Sequence, residues 1–455
     1  MTDDGSSLFC PLEFRYGREE VRSIFSRSAR LRRALRVEAA LALSEAEAGL
    51  IPTEDAEAID RAATLDSVHL ARVDEIERAT RHDVMAITRA LAEAAGPAGR
   101  WVHFGATSAD ITDTALALEL KECVAVLDDD LVRLGGALAG LAKKHRATPT
   151  VGRTHGQHGV PLSFGYKMAV AAAEVGRHRQ RLHELQHRLL VGKLSGAVGT
   201  GASFGDKAAE VEEGALRRLE LTPDEAPTQI VGRDRLAELT NFLALVAATA
   251  ERLATEVRNL QRTEIAEVAE PFDEASQVGS STMAQKRNPM QSENVTSLAR
   301  LIRAFATPPL ENMVQWHERD LSNSANERIV IPHAIVLTDD ILGKLSTVFA
   351  GLEVDPGRMA EAVAQGGGMA MTENLMLALT AKGLARGEAH ELLRGLTRGH
   401  SGSTSLAARA RDDPRVRKLL SPAELDTVLD PASYVRAAAE KTDRILATVE
   451  RELDR

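Results

Sequence analysis

Residues 236–260 read LAELTNFLALVAATAERLATEVRNL, and their apolar positions recur in alternating steps of three and four. The series consists of Leu236, Leu239, Leu243, Val246, Ala250, Leu253, Val257 and Leu260. This spacing predicts one long helix with a heptad-type seam. Further apolar residues lie outside the seam, so we expect the helix to be buried on more than one side. They are Phe242, Leu245, Ala247 and Ala248. The stretch therefore favours a bundle of long helices that continues across subunits.

Helical spacing also dominates the rest of the chain. It covers residues 19–48, 53–95, 109–145, 161–191, 289–305 and 322–348. Aromatic residues make up only 3% of the chain and no alternating strand pattern of consequence is visible, which favours helices over sheets. We predict an all-α fold of three helical domains: an N-terminal domain over 1–105, a central long-helix bundle over 106–350 and a C-terminal domain over 351–455.

The composition of the chain narrows the compartments in which the protein can work and the partners that it can bind. The 455 residues can bury a large core, and the formal net charge of -10 argues against nucleic-acid binding. Two cysteines, Cys10 and Cys123, fit a reducing compartment rather than a disulfide framework. Residues 1–7 lack the pattern of a signal peptide, and no apolar run is long enough to span a bilayer. We expect a cytoplasmic protein without nucleic-acid or membrane partners.

A glycine- and serine-rich segment over residues 277–290 leads into a predicted helix. It holds Ser280 and Ser281, then Lys286 and Asn288, and Pro289 opens the helical run. Convergent donors near a helix N-terminus suit an anion or a developing negative charge. An ordinary surface loop is the alternative that composition alone favours.

Two other short segments adjoin predicted helices. Thr107 and Ser108 stand just before a long helix, where their hydroxyls can cap it or, with free backbone amides, hold a carboxylate. His155 and His158 lie three residues apart between two helices. No cysteine or carboxylate stands nearby to complete a metal site, so we expect no metal. A hydrogen-bonded structural histidine is the alternative to a catalytic one.

In combination these segments resemble the fumarase/aspartase superfamily, and within it the adenylosuccinate lyases. Residues 105–114 and 153–158 are similar to the first two conserved regions of the family, and GSSTMAQKRNP over 279–289 is similar to its signature loop. The resemblance covers nearly the whole chain. It implies a β-elimination that releases fumarate and needs no cofactor.

The resemblance also implies catalytic roles around a very weak carbon acid. Ser280 is the expected base, and donors must concentrate where negative charge develops on the neighbouring carboxylate. The donors expected there are Lys286, Asn288, Thr107 and Ser108. Because a serine hydroxyl is a weak base, Lys286 and nearby loop amides are expected to favour its alkoxide.

Protonation of the departing nitrogen falls to a histidine. His155 matches the catalytic histidine of the family, which pairs with the glutamate after the signature loop, here Glu293. A carboxylate on one ring nitrogen fixes the tautomer and raises the basicity of the other. His82 stays open as an alternative acid or as a contact to the leaving group.

Other matches point to a phosphorylated nucleotide substrate. Arg319 matches a ligand of the succinyl carboxylate, and Ser324 and Arg328 match phosphate ligands, a task for which the planar arginine fork is suited. The substrate-binding residues implied in total are Arg15, Tyr16, Arg81, Asp83, Thr107, Ser108, Gln229, Ser281, Asn288, Arg319, Ser324 and Arg328.

One departure from the family pattern lies in the signature loop. Met283-Ala284-Gln285 replaces the usual Met-Pro-His or Met-Pro-Tyr, and loss of proline frees the backbone of a loop whose closure sets the geometry. Cleavage of adenylosuccinate to AMP and fumarate in purine biosynthesis is the leading hypothesis. A lyase or cycloisomerase for a smaller acid, such as nitrosuccinate, an aspartate-type acid or carboxymuconate, is the second. A non-catalytic helical scaffold is the third.

The resemblance finally implies a homotetramer. Three subunits of such an assembly build each active site, and long helices from four subunits form the core. The seam from Leu236 to Leu260 is consistent with that arrangement.

Overall fold

The computed structural model describes residues 9–273, 277, 279, 282–283, 285–365, 367–398 and 405–454. This part of the chain is predominantly helical, which confirms the predicted all-α class. The helices up to residue 144 are α1 Glu19–Ile24, α2 Arg27–Glu47, α3 Thr53–Ala62, α4 Leu70–Thr80, α5 Asp83–Ala94 and α6 Ser108–Lys144. The following ones are α7 Phe164–Leu189, α8 Ala208–Leu219, α9 Asp234–Leu260, α10 Met290–Ala304, α11 Thr307–Glu311 and α12 Ser324–Ala350. The last are α13 Pro356–Gln365, α14 Thr372–Ala381, α15 Arg386–Thr397, α16 Leu406–Asp412, α17 Pro414–Leu419, α18 Pro422–Leu429 and α19 Ala432–Leu453.

The seam helix α9 confirms the heptad prediction. All eight seam residues are at most 6% exposed, and Phe242 and Ala247 are buried as well. Leu245 is 53% exposed and Ala248 is also exposed. One apolar strip of α9 therefore remains open to solvent in a single chain.

A β-hairpin stands between α6 and α7, where the sequence showed no strand and predicted a helix from about Pro161. Strand β1, Pro149–Thr154, pairs antiparallel with strand β2, Gln157–Ser163. The register shifts between Val151 and Arg153, so the alternation of apolar and polar residues breaks in mid-strand. This bulge, with a proline in β2, explains why the period-2 signal was missed.

Two more strand pairs are each two residues long. Strand β3, Val191–Gly192, pairs parallel with β4, Thr222–Pro223. Strand β5, Val268–Ala269, pairs antiparallel with β6, Glu353–Val354. These pairs tie loops together without forming a sheet layer.

The chain divides into two compact units, each built from three stretches of sequence. Unit 1 consists of Met1–Leu131, His178–Glu251 and Val295–Gly343. Unit 2 consists of Val132–Arg177, Arg252–Asn294 and Lys344–Arg455. Helices α6, α7, α9, α10 and α12 contribute residues to both units. The division into three domains stays a prediction.

Each unit has a core of its own. In unit 1, Leu35 and Ile59 are fully buried in one cluster, and Leu194 and Leu216 in another. In unit 2, residues 375–425 enclose a separate cluster of buried apolar side chains. None of the described helices has both the length and the apolar composition needed to cross a bilayer.

Candidate active site

The predicted site residues fall into two groups by unit. Unit 1 holds Arg15, Tyr16, Arg81, His82, Asp83, Thr107, Ser108, Gln229, Arg319, Ser324 and Arg328. Unit 2 holds His155, Lys286, Asn288 and Glu293. Ser280 and Ser281 lie outside the described residues.

In unit 1 the start of α6 is held by Asp110. Its carboxylate accepts from the Thr107 amide at 2.8 Å and also forms a fully buried ion pair with Lys193. The backbone amides of Ser195 and Gly196 donate to the same carboxylate at 3.2 and 3.1 Å. Asp110 thus fixes the start of α6 to the glycine-rich segment that follows β3.

The hydroxyls of Thr107 and Ser108 lie at this anchored helix start. Both residues are half-buried, and within the described chain neither hydroxyl is engaged in a hydrogen bond. Only one of the two hydrogen bonds of a capping box is present, the one in which the Asp110 carboxylate accepts from the Thr107 amide. The hydroxyls therefore remain available for a ligand, which favours the carboxylate-binding interpretation over capping.

His82 caps α5. Its Nδ1 accepts a hydrogen bond from the Met85 amide at 3.2 Å, which requires an unprotonated Nδ1 and places the ring proton on Nε2. Arg81 precedes it with a positive φ of 54°, a conformation that ends α4 and turns the chain into α5. His82 and Arg81 are both exposed.

Asp83 pairs with Arg328 of α12. The Nη2 atom of Arg328 donates to Asp83 Oδ2 at 2.7 Å, and the Val84 amide donates to the other oxygen at 2.8 Å. Burial pushes the pKa of Asp83 upward, but these hydrogen bonds and the charge of Arg328 outweigh it and leave the pKa below its usual value. Ser324 opens the same helix one turn before Arg328.

Arg319 and Gln229 form a second contact in unit 1. The Nη1 atom of Arg319 donates to Gln229 Oε1 at 2.9 Å, and Gln229 Nε2 donates to the Ala197 carbonyl at 2.8 Å. The Nε of Arg319 is buried and has no hydrogen-bond partner in the described chain. A buried donor of this kind is costly unless a ligand accepts from it. This observation fits the expected role of Arg319 as a carboxylate ligand.

A buried clamp that the sequence reading missed connects these segments. Arg233 donates to both oxygens of Asp113 at 2.7 and 3.0 Å and to Glu327 at 3.0 Å. Burial raises the pKa of Glu327 although Arg233 opposes that shift. The clamp joins α6, the segment after Gln229 and the first turn of α12. Each of the three residues is close in sequence to a predicted site residue. Their distances along the chain gave no indication that they pair with one another.

The Arg15-Tyr16 segment packs on α12. The Arg15 guanidinium lies 5.9 Å from the centre of the Tyr16 ring, and the Gly17 amide donates to Asp340 at 3.0 Å. Gly17 has a φ of +78°, and a Cβ there would lie 2.3 Å from Val336 Cγ1. Only glycine allows this close approach.

In unit 2, His155 occupies the tip of the β1–β2 hairpin. His155 and Gly156 form its two-residue turn with φ values of 55° and 72°, as a type I′ turn requires. His155 and His158 are both exposed. The described residues contain no group of three or more His, Cys, Asp or Glu side chains arranged to hold a metal ion.

Hydrogen bonds join the two ends of the described part of the signature loop. Asn288 Nδ2 donates to the Gly279 carbonyl at 2.9 Å, and the Lys286 amide donates to the Met283 carbonyl at 3.1 Å. A Cβ on Gly279 would lie 2.3 Å from the Lys286 carbonyl oxygen, so the backbones meet only because this residue is glycine. The side chain of Lys286 is exposed.

The N-terminus of α10 carries its own anion. Glu270, 6% exposed, accepts from the amides of Gln291 and Ser292 at 3.1 and 2.6 Å. Gln261 accepts from the Glu270 amide at 3.0 Å and donates to the Arg287 carbonyl at 3.2 Å. The sequence predicts donors for an anion near this helix start, and Glu270 occupies two of the backbone amides there, whereas the predicted donors Lys286 and Asn288 act through side chains. No local signal connects Glu270 with residues so far along the chain.

Glu293 lies exposed on the first turn of α10. No hydrogen bond or ion pair joins it to His155 within the described part of a single chain. Its neighbour Asn294 accepts from Lys344 Nζ at 2.6 Å, which fixes the helix start to α12.

Two family models match the chain. One, described as Lyase, covers residues 13–303, and another, described as Adenylosuccinate lyase C-terminus, covers residues 368–445. An adenylosuccinate lyase of Pyrococcus abyssi is 46% identical over 441 residues, which cover 97% of this chain and 98% of the relative.

Solved structures share the fold over nearly the same length. A fumarate lyase from Mesorhizobium sp. BNC1 is 33% identical with a TM-score of 0.86, covering 95% of this chain and 98% of that one. A 3-carboxy-cis,cis-muconate lactonizing enzyme from Pseudomonas putida is 34% identical with a TM-score of 0.85, covering 96% and 98%.

Proposed function

Because the chain belongs to the fumarase/aspartase superfamily, and within it to the adenylosuccinate lyase family, we propose that it cleaves adenylosuccinate to AMP and fumarate. The observation that carries this proposal is similarity to adenylosuccinate lyases along almost the entire length of both chains. Because the match covers both chains almost completely, no domain that the relatives need for their reaction is missing from the comparison. Purine biosynthesis in the cytoplasm is the setting that we propose for this activity.

The chemical difficulty is removal of a proton from carbon beside a carboxylate. The intermediate carries two negative charges on that carboxylate, so catalysis depends on donors placed where the charge appears. We assign the base to Ser280 and its activation to Lys286. Thr107 and Ser108 bind the carboxylate through hydroxyls that no group of the described chain engages. Asn288 completes the set from the base of the loop.

The departing nitrogen takes its proton from His155, oriented by Glu293. An exposed histidine at a hairpin tip is sterically accessible for this step. His82 is the alternative acid, because its capping hydrogen bond leaves the Nε2 proton free to face a leaving group.

Binding of the nucleotide is assigned to cations and polar groups of unit 1. Arg319 receives the succinyl carboxylate, for which its unpartnered Nε supports the assignment. Ser324 and Arg328, at the start of α12, receive the phosphate. We propose as further ligands Arg15, Tyr16, Arg81, Asp83 and Gln229 of the same unit, and Ser281 of the signature loop.

We further propose that copies of the chain form a homotetramer with shared sites. No hydrogen bond or ion pair joins His155 to Glu293 in the described part of one chain, so we propose that the two residues pair across subunits of the tetramer. The exposed strip of α9 around Leu245 supplies apolar surface for packing against another copy. Sedimentation of the protein at micromolar concentration tests this, and a monomer would contradict it.

The test of the activity is direct. Purified protein is incubated with adenylosuccinate while purine absorbance and fumarate are followed, and a Ser280→Ala preparation serves as the control for contaminating enzymes. We expect AMP and fumarate in equal amounts from the wild type and neither above background from the variant. Equal rates in both preparations would refute the assignment.

A cycloisomerase for a smaller acid is the second candidate. Similarity to a carboxymuconate lactonizing enzyme and the Ala284-Gln285 departure in the loop favour testing it. Turnover of 3-carboxy-cis,cis-muconate without turnover of adenylosuccinate would establish this candidate instead.

A further inference from the structure

We propose that the ion pair between Arg153 and Glu267 positions the hairpin that presents His155, so that Glu267 controls proton transfer without touching the substrate. This inference rests on the proposed function, in which His155 is the general acid. Glu267 is a positioning residue in this scheme.

The pair connects the hairpin to the segment between α9 and β5. Arg153 is two residues before His155, and its Nη1 donates to Glu267 Oε2 at 3.0 Å while Nη2 contacts Oε1. Thr150 Oγ1 donates to the same carboxylate at 3.3 Å. Glu267 is only 1% exposed. A bidentate contact with a desolvated carboxylate fixes direction as well as distance.

The carboxylate is itself rigidly placed. Ala266 adopts a φ of +51°, which is unfavourable for a residue with a Cβ. The Glu267 amide then donates to the Leu260 carbonyl at 3.0 Å, and the Glu267 carbonyl accepts from Asp355 at 3.0 Å. Such strain persists only where the surroundings impose it. Glu267 therefore offers the hairpin a fixed anchor.

The hairpin packs against α13 and α19, but its packing is incomplete around Arg153. A largely apolar cavity of about 360 Å³ and a polar cavity of about 410 Å³ adjoin it, and Arg153 lines both. Space without partner atoms supplies no van der Waals restraint on that side. Within the described hairpin the side-chain donors that reach other parts of unit 2 are Thr150 and Arg153, and both end on Glu267. Loss of this carboxylate should leave the hairpin tip free to shift.

The experiment compares Glu267→Gln and Arg153→Lys with Glu264→Gln. Glu264 lines the same polar cavity but pairs with Arg262 at the surface, so it controls for charge in this region. Misplacement by about 1 Å costs about 10²-fold in rate. We expect each of the first two variants to lower kcat by about 10²-fold with KM changed less than about twofold, and Glu264→Gln to match the wild type.

A double-mutant comparison separates positioning from general damage. If Glu267 acts through His155, Glu267→Gln should lower kcat by less than about threefold in a His155→Ala background, since coupled residues are not additive. An equal loss in both backgrounds would overturn the inference, as would wild-type kcat in a folded Glu267→Gln protein. If Glu267→Gln does not fold, Arg153→Lys decides by the same criteria. Failure of the wild type to cleave adenylosuccinate would instead refute the proposed function.

Discussion

Glu270 accepts a hydrogen bond from the backbone amide of Ser292 at 2.6 Å, so a buried carboxylate of the protein itself satisfies the N-terminus of α10. The positive end of that helix is therefore already compensated. Negative charge that develops on a substrate must be met by side chains instead, and Lys286 and Asn288 lie just before this helix. Glu270 also places Glu293, which follows Ser292 on the same turn.

Replacement of Glu270 by glutamine should weaken the cap. Glutamine keeps the shape of the Glu270 side chain but lacks the negative charge that accepts from two backbone amides. Hydrogen bonds to charged groups contribute about 1.5–3 kcal/mol to the free energy of unfolding. We expect a loss in the free energy of unfolding of about that size, measured by urea denaturation, together with a lower kcat. The exposed Glu264→Gln should change neither. An unchanged urea midpoint for Glu270→Gln would contradict the capping role.

The two hairpin histidines should differ sharply in their effect on turnover. His155 stands in the turn, whereas His158 lies in β2, and both are exposed. General acid–base groups contribute about 10²–10⁴-fold in rate. We expect His155→Ala to lose kcat within that range and His158→Ala to keep most of it, with equal melting temperatures. Equal activity of both variants in the fumarate assay would remove His155 from the scheme.

The Asp83–Arg328 pair should control substrate affinity. The lowered pKa of Asp83 means that the folded state favours its ionised form. The ion pair therefore stabilises the fold fully above the ordinary carboxyl pKa, and this stabilisation is lost only as pH falls through the lower pKa of the folded state. We expect Asp83→Asn to raise KM about tenfold at neutral pH, because Arg328 is no longer held in place. A tenfold change corresponds to the loss of about one hydrogen bond to a charged group.

The matched control for that variant is Asp74→Asn. Asp74 also pairs with an arginine, Arg27, but in an exposed ion pair that does not involve Arg328. Steady-state kinetics should show its KM unchanged. If both variants raise KM equally, the effect does not come from Arg328.

Glu45 should make the protein less stable as pH rises. The residue is fully buried on α2, and burial together with the charge of Glu38 raises its pKa to about 9. A carboxyl group that holds its proton more tightly when folded stabilises the fold below the unfolded pKa of 4.5, and this contribution is lost as pH rises toward about 9.

Glu45→Gln should remove this dependence. The difference in unfolding free energy between the variant and the wild type should grow in favour of the variant across that pH window, by at most about 1.4 kcal/mol per pH unit. Denaturation curves at several pH values measure it, with the exposed Glu54→Gln as control. A constant difference across the window would show that Glu45 is already ionised at its lower end.

Local periodicity predicted the long helices well because burial of a helix face repeats within the segment itself, but it missed the breaks that divide 19–48 into two helices and 53–95 into three. The seam of α9 is the clearest case, since each predicted seam residue is buried. The β1–β2 hairpin was missed because its bulge and Pro161 interrupt the two-residue period. The roles given to Ser280, His155 and the other site residues came from resemblance rather than from spacing, and they stay predictions.

The clamps around the site could not be predicted from the sequence. Arg233 meets Asp113 and Glu327 from distant stretches, and Glu270 meets Ser292 in the same way. Charged residues are common on helices, and only the folded chain determines which of them become buried partners. Such pairs carry no periodic signal.

Five helices, α6, α7, α9, α10 and α12, contribute to both compact units, and each unit is assembled from three separate stretches. No single cut in the polypeptide can release either unit intact, because every boundary between them falls inside a helix. Gene fragments that encode one unit alone would thus leave severed helices with exposed apolar faces. Recombination with relatives is expected to succeed at the loops between helices rather than at the borders of the units.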